Sequence, residues 1–209
     1  MSATKKSWSR STQLTQDILI EFLDYCPETG VFTRKVRTSN RVKVGDIAGA
    51  KDSSGYVRFM AAGRLYLAHR LAWLYMNGCW PANHLDHING DITDNRIANL
   101  REATSAQNSA NCPASWSNKS GFKGVSRSRG KWRAQISVNN KKIALGAYST
   151  PELAHAAYRE AAEKYHGDFA NFKTREEYPP QGRDRRRQVQ IDAQDLKTAP
   201  HFNQGRKIA

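Results

Sequence analysis

The sequence predicts an α+β protein built from two small units. The first centres on a strand–loop–strand–helix element, and the second is a three-stranded antiparallel sheet packed on one helix. Three observations carry this reading. Residues 84–111 run as a short strand, a polar loop, a second strand and a short helix. Residues 121–172 hold three short β-like runs and then one strongly amphipathic helix. Residues 113–120, Pro-Ala-Ser-Trp-Ser-Asn-Lys-Ser, have the composition of a linker between them. A length of 209 residues suits two such domains.

Each element has a local reason. Residues 1–13 are a polar, basic arm. Thr15 is placed to cap a helix, with Leu14 stapled onto Leu19. Ile18, Leu19, Phe22 and Leu23 form its apolar stripe, which runs to near Tyr25 and stops before Pro27 and Gly30. Val31-Phe32-Thr33 reads as a strand. Residues 56–60 and 65–68 flank Ala61-Ala62-Gly63-Arg64 as a hairpin. Residues 69–76 form a helix that Asn77-Gly78 ends.

Leu85 to Ile88 is the next strand, Asn89-Gly90-Asp91 and Asp94-Asn95 are polar turns, and Asn99 to Arg101 returns as the partner strand. Thr104 caps a helix over 105–111. In the second unit the β-like runs are 122–127, 131–138 and 141–147. Thr150 caps the last helix, with Pro151 at its first position and Leu153, Ala154, Ala157, Tyr158 and Ala161 on its apolar face. Residues 173–209, with Arg183 and Arg185-Arg186-Arg187, show no apolar period and read as a mostly disordered basic tail.

Composition narrows the function. Lys and Arg number 33 against 19 Asp and Glu, and 33 − 19 gives a net charge of +14. Such an excess calls for a polyanionic partner, most economically nucleic acid. No stretch approaches the roughly 18 apolar residues of a membrane span. The N-terminus carries no apolar segment of a secretory signal. Three widely spaced cysteines, Cys26, Cys79 and Cys112, argue against a disulfide scaffold or a Cys-rich zinc site and fit a reducing cytoplasm. The charge is uneven: between Ser117 and Gly146 lie eight Lys and Arg residues and no acid, whereas 21–112 is nearly balanced.

Phosphodiester hydrolysis needs a water deprotonated, charge on the phosphate stabilised and the leaving oxygen neutralised. A histidine held by a second hydrogen bond supplies the base at neutral pH. A hard divalent cation on one or two oxygen ligands supplies the rest and keeps positions open. Asp86-His87 offers both functions side by side. Adjacent residues on a strand face opposite ways, so the pair needs local twist or help from the following helix.

These residues also carry a resemblance. The segment Asp86-His87, Asn89-Gly90-Asp91, Asp94-Asn95-Arg96, Asn99-Leu100-Arg101 and Asn108 resembles the HNH endonucleases of the ββα-metal class, in the form found in phage and intron-encoded homing enzymes. The offsets agree: 99 − 87 = 12 and 108 − 87 = 21. His69-Arg70-Leu71-Ala72-Trp73, Gly78-Cys79-Trp80-Pro81 and Glu28-Thr29-Gly30-Val31-Phe32 extend the likeness over nearly all of a nuclease domain at 14–112. The resemblance implies His87 as general base. It implies Asp86 and Asn108 as ligands of one Mg²⁺ or Mn²⁺. Asn99 would hold the His87 ring or the loop around it. The implied products are a 5′-phosphate and a 3′-hydroxyl. Asn95 reads as a turn residue rather than a ligand. His84 is a competing ligand or phosphate contact, and His69 and His155 read as structural or phosphate-facing.

Residues 121–172 resemble the ethylene-response-factor (APETALA-type) DNA-binding domain. The likeness rests on Gly121-Phe122-Lys123-Gly124-Val125, Gly130-Lys131-Trp132, Ala134, Ile136, Leu145-Gly146, the 154–162 helix segment, Gly167 and Ala170-Asn171-Phe172. Alternation puts Trp132, Ala134 and Ile136 on one sheet face and Arg133, Gln135 and Ser137 on the other. Lys123, Arg127, Arg129, Arg133, Gln135 and Lys142 form the expected DNA-contact set. Ser126, Ser128, Gln135, Ser137 and Ala144 stand where plant domains place arginines and tryptophans, so the plant target sequence does not carry over.

The expected protein is thus a metal-dependent DNA endonuclease of homing type, acting on double-stranded DNA with no membrane partner and no small-molecule cofactor. It belongs in the cytoplasm of a bacterial host and is phage-encoded. The alternatives are a DNA-binding regulator or phage accessory protein with a nuclease-like domain that no longer cuts, and an RNA-binding protein.

Overall fold

The computed structural model describes residues 14–115, 117–174 and 177; the expected N-terminal arm and nearly all of the basic tail lie outside these. The chain opens with helix α1 (Gln16–Phe22), capped by the Thr15 hydroxyl, which accepts from the Ile18 N–H at 3.4 Å. This helix ends three residues before the expected limit. Leu23 turns extended and starts strand β1 (Leu23–Cys26), which pairs antiparallel with β2 (Val31–Arg34). Leu23 and Tyr25 lie on the buried side of β1 and serve a strand as well as they would a helix.

A second sheet comes next: β3 (Ala50–Lys51), β4 (Val57–Ala61) and β5 (Arg64–Leu67), in that order. The β4–β5 hairpin forms at the expected place and turns through Ala62-Gly63, both left-handed. The short β3 has no clear signal in the sequence. Helix α2 (Ala68–Asn77) then runs to a left-handed Gly78 cap. Leu14, Leu19, Leu23, Phe32, Phe59, Leu71 and Leu74 fill one core beneath these elements, and Leu100 joins it.

Strand β6 (His84–His87) pairs antiparallel with β7 (Leu100–Ala103), and α3 (Ser105–Asn111) packs on β6. The expected return strand begins one residue late, because Ile97–Asn99 is a 3-10 turn. Thr104 and Gln107 cap α3 reciprocally, each side chain reaching the other's backbone N–H.

The remaining described residues form an antiparallel sheet of β8 (Val125–Ser128), β9 (Lys131–Val138) and β10 (Lys141–Tyr148), with β9 central. Left-handed Arg129-Gly130 and Asn139-Asn140 turn the two hairpins. Helix α4 (Pro151–His166), capped by Thr150, covers one face. Val125, Ala134 and Ile136 meet Ala154, Tyr158, Ala161 and Ala162 there. Gly124 admits the Tyr158 ring, which any side chain at that position would strike. Leu153, expected on the buried face, is 53% exposed. The buried face of α4 runs through Ala154, Tyr158, Ala161 and Ala162, and Leu153 lies to the side of that stripe.

The β1–β2 hairpin presses on the polar loop between β6 and β7. Gly30 has φ +71°, and a Cβ there would lie 2.5 Å from the backbone of both Asn95 and Arg96. The Tyr25 hydroxyl donates to the Asn95 carbonyl at 2.7 Å. Gly30→Ala combines a left-handed penalty of about 1–2 kcal/mol with a backbone clash. It is expected to lower the melting temperature by about 5 °C or more. An unchanged melt would show that the hairpin does not bear on this loop.

Candidate active site

Asp86 and His87 are adjacent on β6 and point to opposite faces, as a strand dictates. Asp86 is 3% exposed and turns toward α3. A buried carboxylate must be paired and hydrogen-bonded to remain charged. Arg101, directly across on β7, supplies the charge: Nε donates to Oδ2 at 2.9 Å and Nη2 lies 2.8 Å from the same oxygen. The Asn111 amide donates to Oδ1 at 2.9 Å, to Oδ2 at 3.0 Å and to the His87 carbonyl at 2.8 Å.

The sequence points to Asn108 as the helix residue that meets Asp86. The amide that reaches the carboxylate is that of Asn111, three residues on. Asn108 is half-buried one turn earlier, on the same face of α3. Among the described residues no three His, Cys, Asp or Glu side chains converge as a metal cluster. The carboxylate that could serve a cation here is that of Asp86, which Asn111 meets with its amide nitrogen, and the side-chain oxygen of Asn108, one turn earlier on α3, is the further donor that the sequence offers. That set is hard and sparse, and it fits a magnesium-like cation that keeps several waters.

His87 is 5% exposed and faces α2. The His69 ring meets it edge-on at 5.0 Å, and the Tyr56 ring lies 6.3 Å away. Its Nε2 lies 3.4 Å from Asn95 Oδ1. The Asn95 Nδ2 is committed to the Thr93 carbonyl at 3.1 Å, so Oδ1 accepts. Nε2 then carries the ring proton, and Nδ1 keeps the lone pair. Burial, the largest cause, lowers the His87 pKa, against the raising effect of Asn95 and nearby Asp86. The ring is neutral at pH 7, as a base must be.

Asn95, a turn residue by its sequence context, is also the partner of the histidine. Asn99 holds the loop rather than the ring. Its Nδ2 donates to Asn89 Oδ1 at 3.0 Å and to the Asp94 carbonyl at 2.9 Å, and its Oδ1 accepts from the Asn89 N–H at 3.0 Å. Arg96 pairs with Asp94 at 2.6 Å and holds that carboxyl below its ordinary range. His84 is exposed at the start of β6. The sequence signal for Asn95 is the polar turn Asp94-Asn95-Arg96. Nothing local distinguishes Asn111 from Asn108.

The basic residues of the second unit divide between two environments. Arg133, Gln135 and Lys142 alternate with the buried residues and lie on the sheet face away from α4, together with Lys131. Arg129 sits at the tip of the first hairpin. Arg127 does not join them: it pairs with Trp132 on the α4 side, its guanidinium 5.8 Å from that ring. Lys123 is also drawn away. Its amine donates to the carbonyls of Ser109 at 3.2 Å and of Ala110 and Cys112 at 2.5 Å, closing the C-terminal end of α3. Burial pushes its pKa down to about 8. The side chain finds its hydrogen bonds in the first unit, which no strand pattern could reveal. His155 is stacked 4.7 Å from Phe122 and lines a cleft of about 490 Å³ shared with Asn111, Arg159 and Asn171.

Residues 66–110 match the family model described as HNH endonuclease. The chain is 33% identical over 121 residues to protein 3.8 of Escherichia phage T7, a match covering 56% of this chain and 97% of that protein. It is 32% identical over 118 residues to a protein of Acanthamoeba polyphaga mimivirus named as an uncharacterized HNH endonuclease. That second match covers 56% of this chain and 62% of the mimivirus protein. No solved structure matches the chain. No helix among the described residues is long and apolar enough to cross a membrane.

The buried histidines give folding a definite pH dependence. Burial, then His87 and Arg70, lowers the His69 pKa to about 3. Between that value and about 6.5 the unfolded chain binds a proton that the folded chain excludes. Stability is thus full above about pH 6.5 and lost as the pH falls through this window. The urea midpoint should drop between about pH 7 and about pH 4, and His69→Gln should flatten that slope. An equal slope in the variant would assign it to other groups.

Proposed function

Residues 66–110 form an HNH endonuclease domain, and from that premise we propose that the chain is a metal-dependent DNA endonuclease of homing type whose C-terminal unit holds the duplex. The observation that carries the proposal is the β6–β7–α3 element. It puts a buried carboxylate and a neutral, oriented imidazole at neighbouring positions.

His87 Nδ1 takes the proton of the attacking water, while Asn95 keeps the other ring nitrogen protonated and the ring in place. Asp86 and the Asn108 amide oxygen are the proposed ligands of one Mg²⁺, with Mn²⁺ as a substitute. Asn111 orients the carboxylate. When bound, the cation supplies positive charge at the phosphate and the leaving oxygen. Asn99 acts by holding the 88–99 loop, not by touching a reacting atom.

For DNA binding, the ethylene-response-factor likeness and the acid-free stretch 117–146 support a sheet laid on the duplex. Lys131, Arg133, Gln135 and Lys142 form its contact face, with Arg129 at the rim. Arg and Lys hold phosphates, and Gln135 is the residue suited to read adenine. Lys123 is left out because its amine is bound to the carbonyls that end α3, and Arg127 because it lies on the α4 side of the sheet beside Trp132.

Purified protein with supercoiled plasmid and Mg²⁺ or Mn²⁺ should yield open-circle or linear DNA, and EDTA should abolish this. His87→Ala should lower the rate by about 10²–10⁴-fold and leave the gel shift nearly intact. Binding without any product, on plasmid and on phage DNA alike, would favour the non-cleaving regulator. Arg133→Ala with Lys142→Ala should weaken duplex binding and reduce the salt slope by about 2. An unchanged slope would move the contact face elsewhere.

A further inference from the structure

The two units are not joined by residues 113–120 alone. The chain leaves α4 through a 3-10 turn, Gly167–Phe169, and then lies across the first unit at three points around Asp86. At the first, the Arg101 guanidinium is held from behind. Its Nη1 donates to the Asp168 carbonyl at 2.9 Å, and the Phe169 ring centre is 3.7 Å from its Cζ. At the second, the Asn171 amide donates to the Asn111 carbonyl at 2.5 Å and to Asn111 Oδ1 at 3.2 Å. At the third, Lys173 Nζ donates to the Asn89 carbonyl at 2.9 Å, in the loop that Asn99 holds.

The second point matters most. Asn111 spends its amide N–H groups on Asp86 and on the His87 carbonyl. A primary amide can rotate by half a turn and exchange its donor for its acceptor. The acceptors on that side fix which end of the amide faces Asp86, and Asn171, donating to Oδ1 and to the Asn111 carbonyl, holds the residue in place from the opposite side. Asn171 is itself 6% exposed and fixed, its Oδ1 accepting from the Lys173 N–H at 3.0 Å. The chain of bonds runs from the C-terminal unit through Asn111 to the carboxylate.

We propose that Asn171 is a positioning residue of the nuclease site, and that residues 168–173 complete this site rather than merely tether a DNA-binding unit. Asn171 holds Asn111 in place, Asn111 orients Asp86, and Phe169 steadies the Arg101 that neutralises it. The proposal rests on the nuclease reading above. Its consequence is that the C-terminal unit sets cation affinity and turnover as well as DNA affinity. Groups that orient a ligating carboxylate typically account for about 10–100-fold in metal affinity or activity.

The test uses the full-length protein, as wild type, Asn171→Ala and Phe169→Ala. Mn²⁺ binding is measured without DNA by electron paramagnetic resonance. Single-turnover cleavage is measured at saturating protein, and duplex affinity separately in EDTA. Asn171→Ala should weaken Mn²⁺ binding and slow saturated cleavage by about 10-fold or more, with duplex affinity within about twofold of wild type. Phe169→Ala should move the same two quantities in the same direction, and it decides the matter if Asn171→Ala does not melt cooperatively. Wild-type Mn²⁺ affinity and saturated rate in folded variants, with any loss confined to duplex affinity, would overturn the proposal. A wild-type protein that neither binds Mn²⁺ nor cuts would overturn the nuclease reading itself, and the proposal with it.

Discussion

The architecture around residues 84–111 is organised by the burial of one carboxylate. Asp86 sits on a four-residue strand with almost no access to water. An ionised carboxylate cannot remain there without an opposite charge and hydrogen bonds that satisfy its oxygens. Those groups come from different elements: Arg101 from β7 and Asn111 from α3. Meeting this requirement brings strand, strand and helix into one unit, although the unit is too polar to be held by an apolar core of its own. Such a carboxylate has its charge and orientation set before any ligand arrives, the condition that preorganised sites depend on.

The other face of β6 obeys a second constraint. His87 must have one ring nitrogen held and the other free, and its partner lies in a loop rather than in regular structure. The loop is rigid because its side chains replace secondary structure with local bonds. Asn89, Asp91, Asp94 and Asn99 satisfy backbone groups within a few residues of themselves. The β1–β2 hairpin then presses on it through Gly30 and Tyr25. A residue more than sixty positions upstream thereby helps to aim an imidazole.

In the C-terminal unit, one covered sheet face and one open face account for the use of charge. The apolar residues of β9 meet small residues on α4, which lets the helix sit close. What remains outside is polar and cationic, without carboxylates to neutralise it. Two cations leave that pattern for a physical reason: Lys123 satisfies the carbonyls that end α3, and Arg127 lies against Trp132. Charge counted along a sequence therefore overstates the charge available to a partner.

The sequence by itself determined the elements and their chemistry. Alternation over 131–138, the Thr150-Pro151 helix start, the Thr104 cap and the offsets from His87 to Asn99 and Asn108 are local signals. Local signals survive folding because they report backbone preferences over a few residues. The boundary at Leu23 was less legible, since two buried residues in alternation suit a helix end and a strand equally. Only the tertiary structure decided which asparagine meets Asp86, which one holds His87, and that Lys123 and Asn171 cross between units. Asn95, Asn99, Asn108 and Asn111 are chemically identical, and their roles depend on which partner lies within about 3 Å. That distance is set by how elements far apart in the chain pack together, and no short window of sequence contains it.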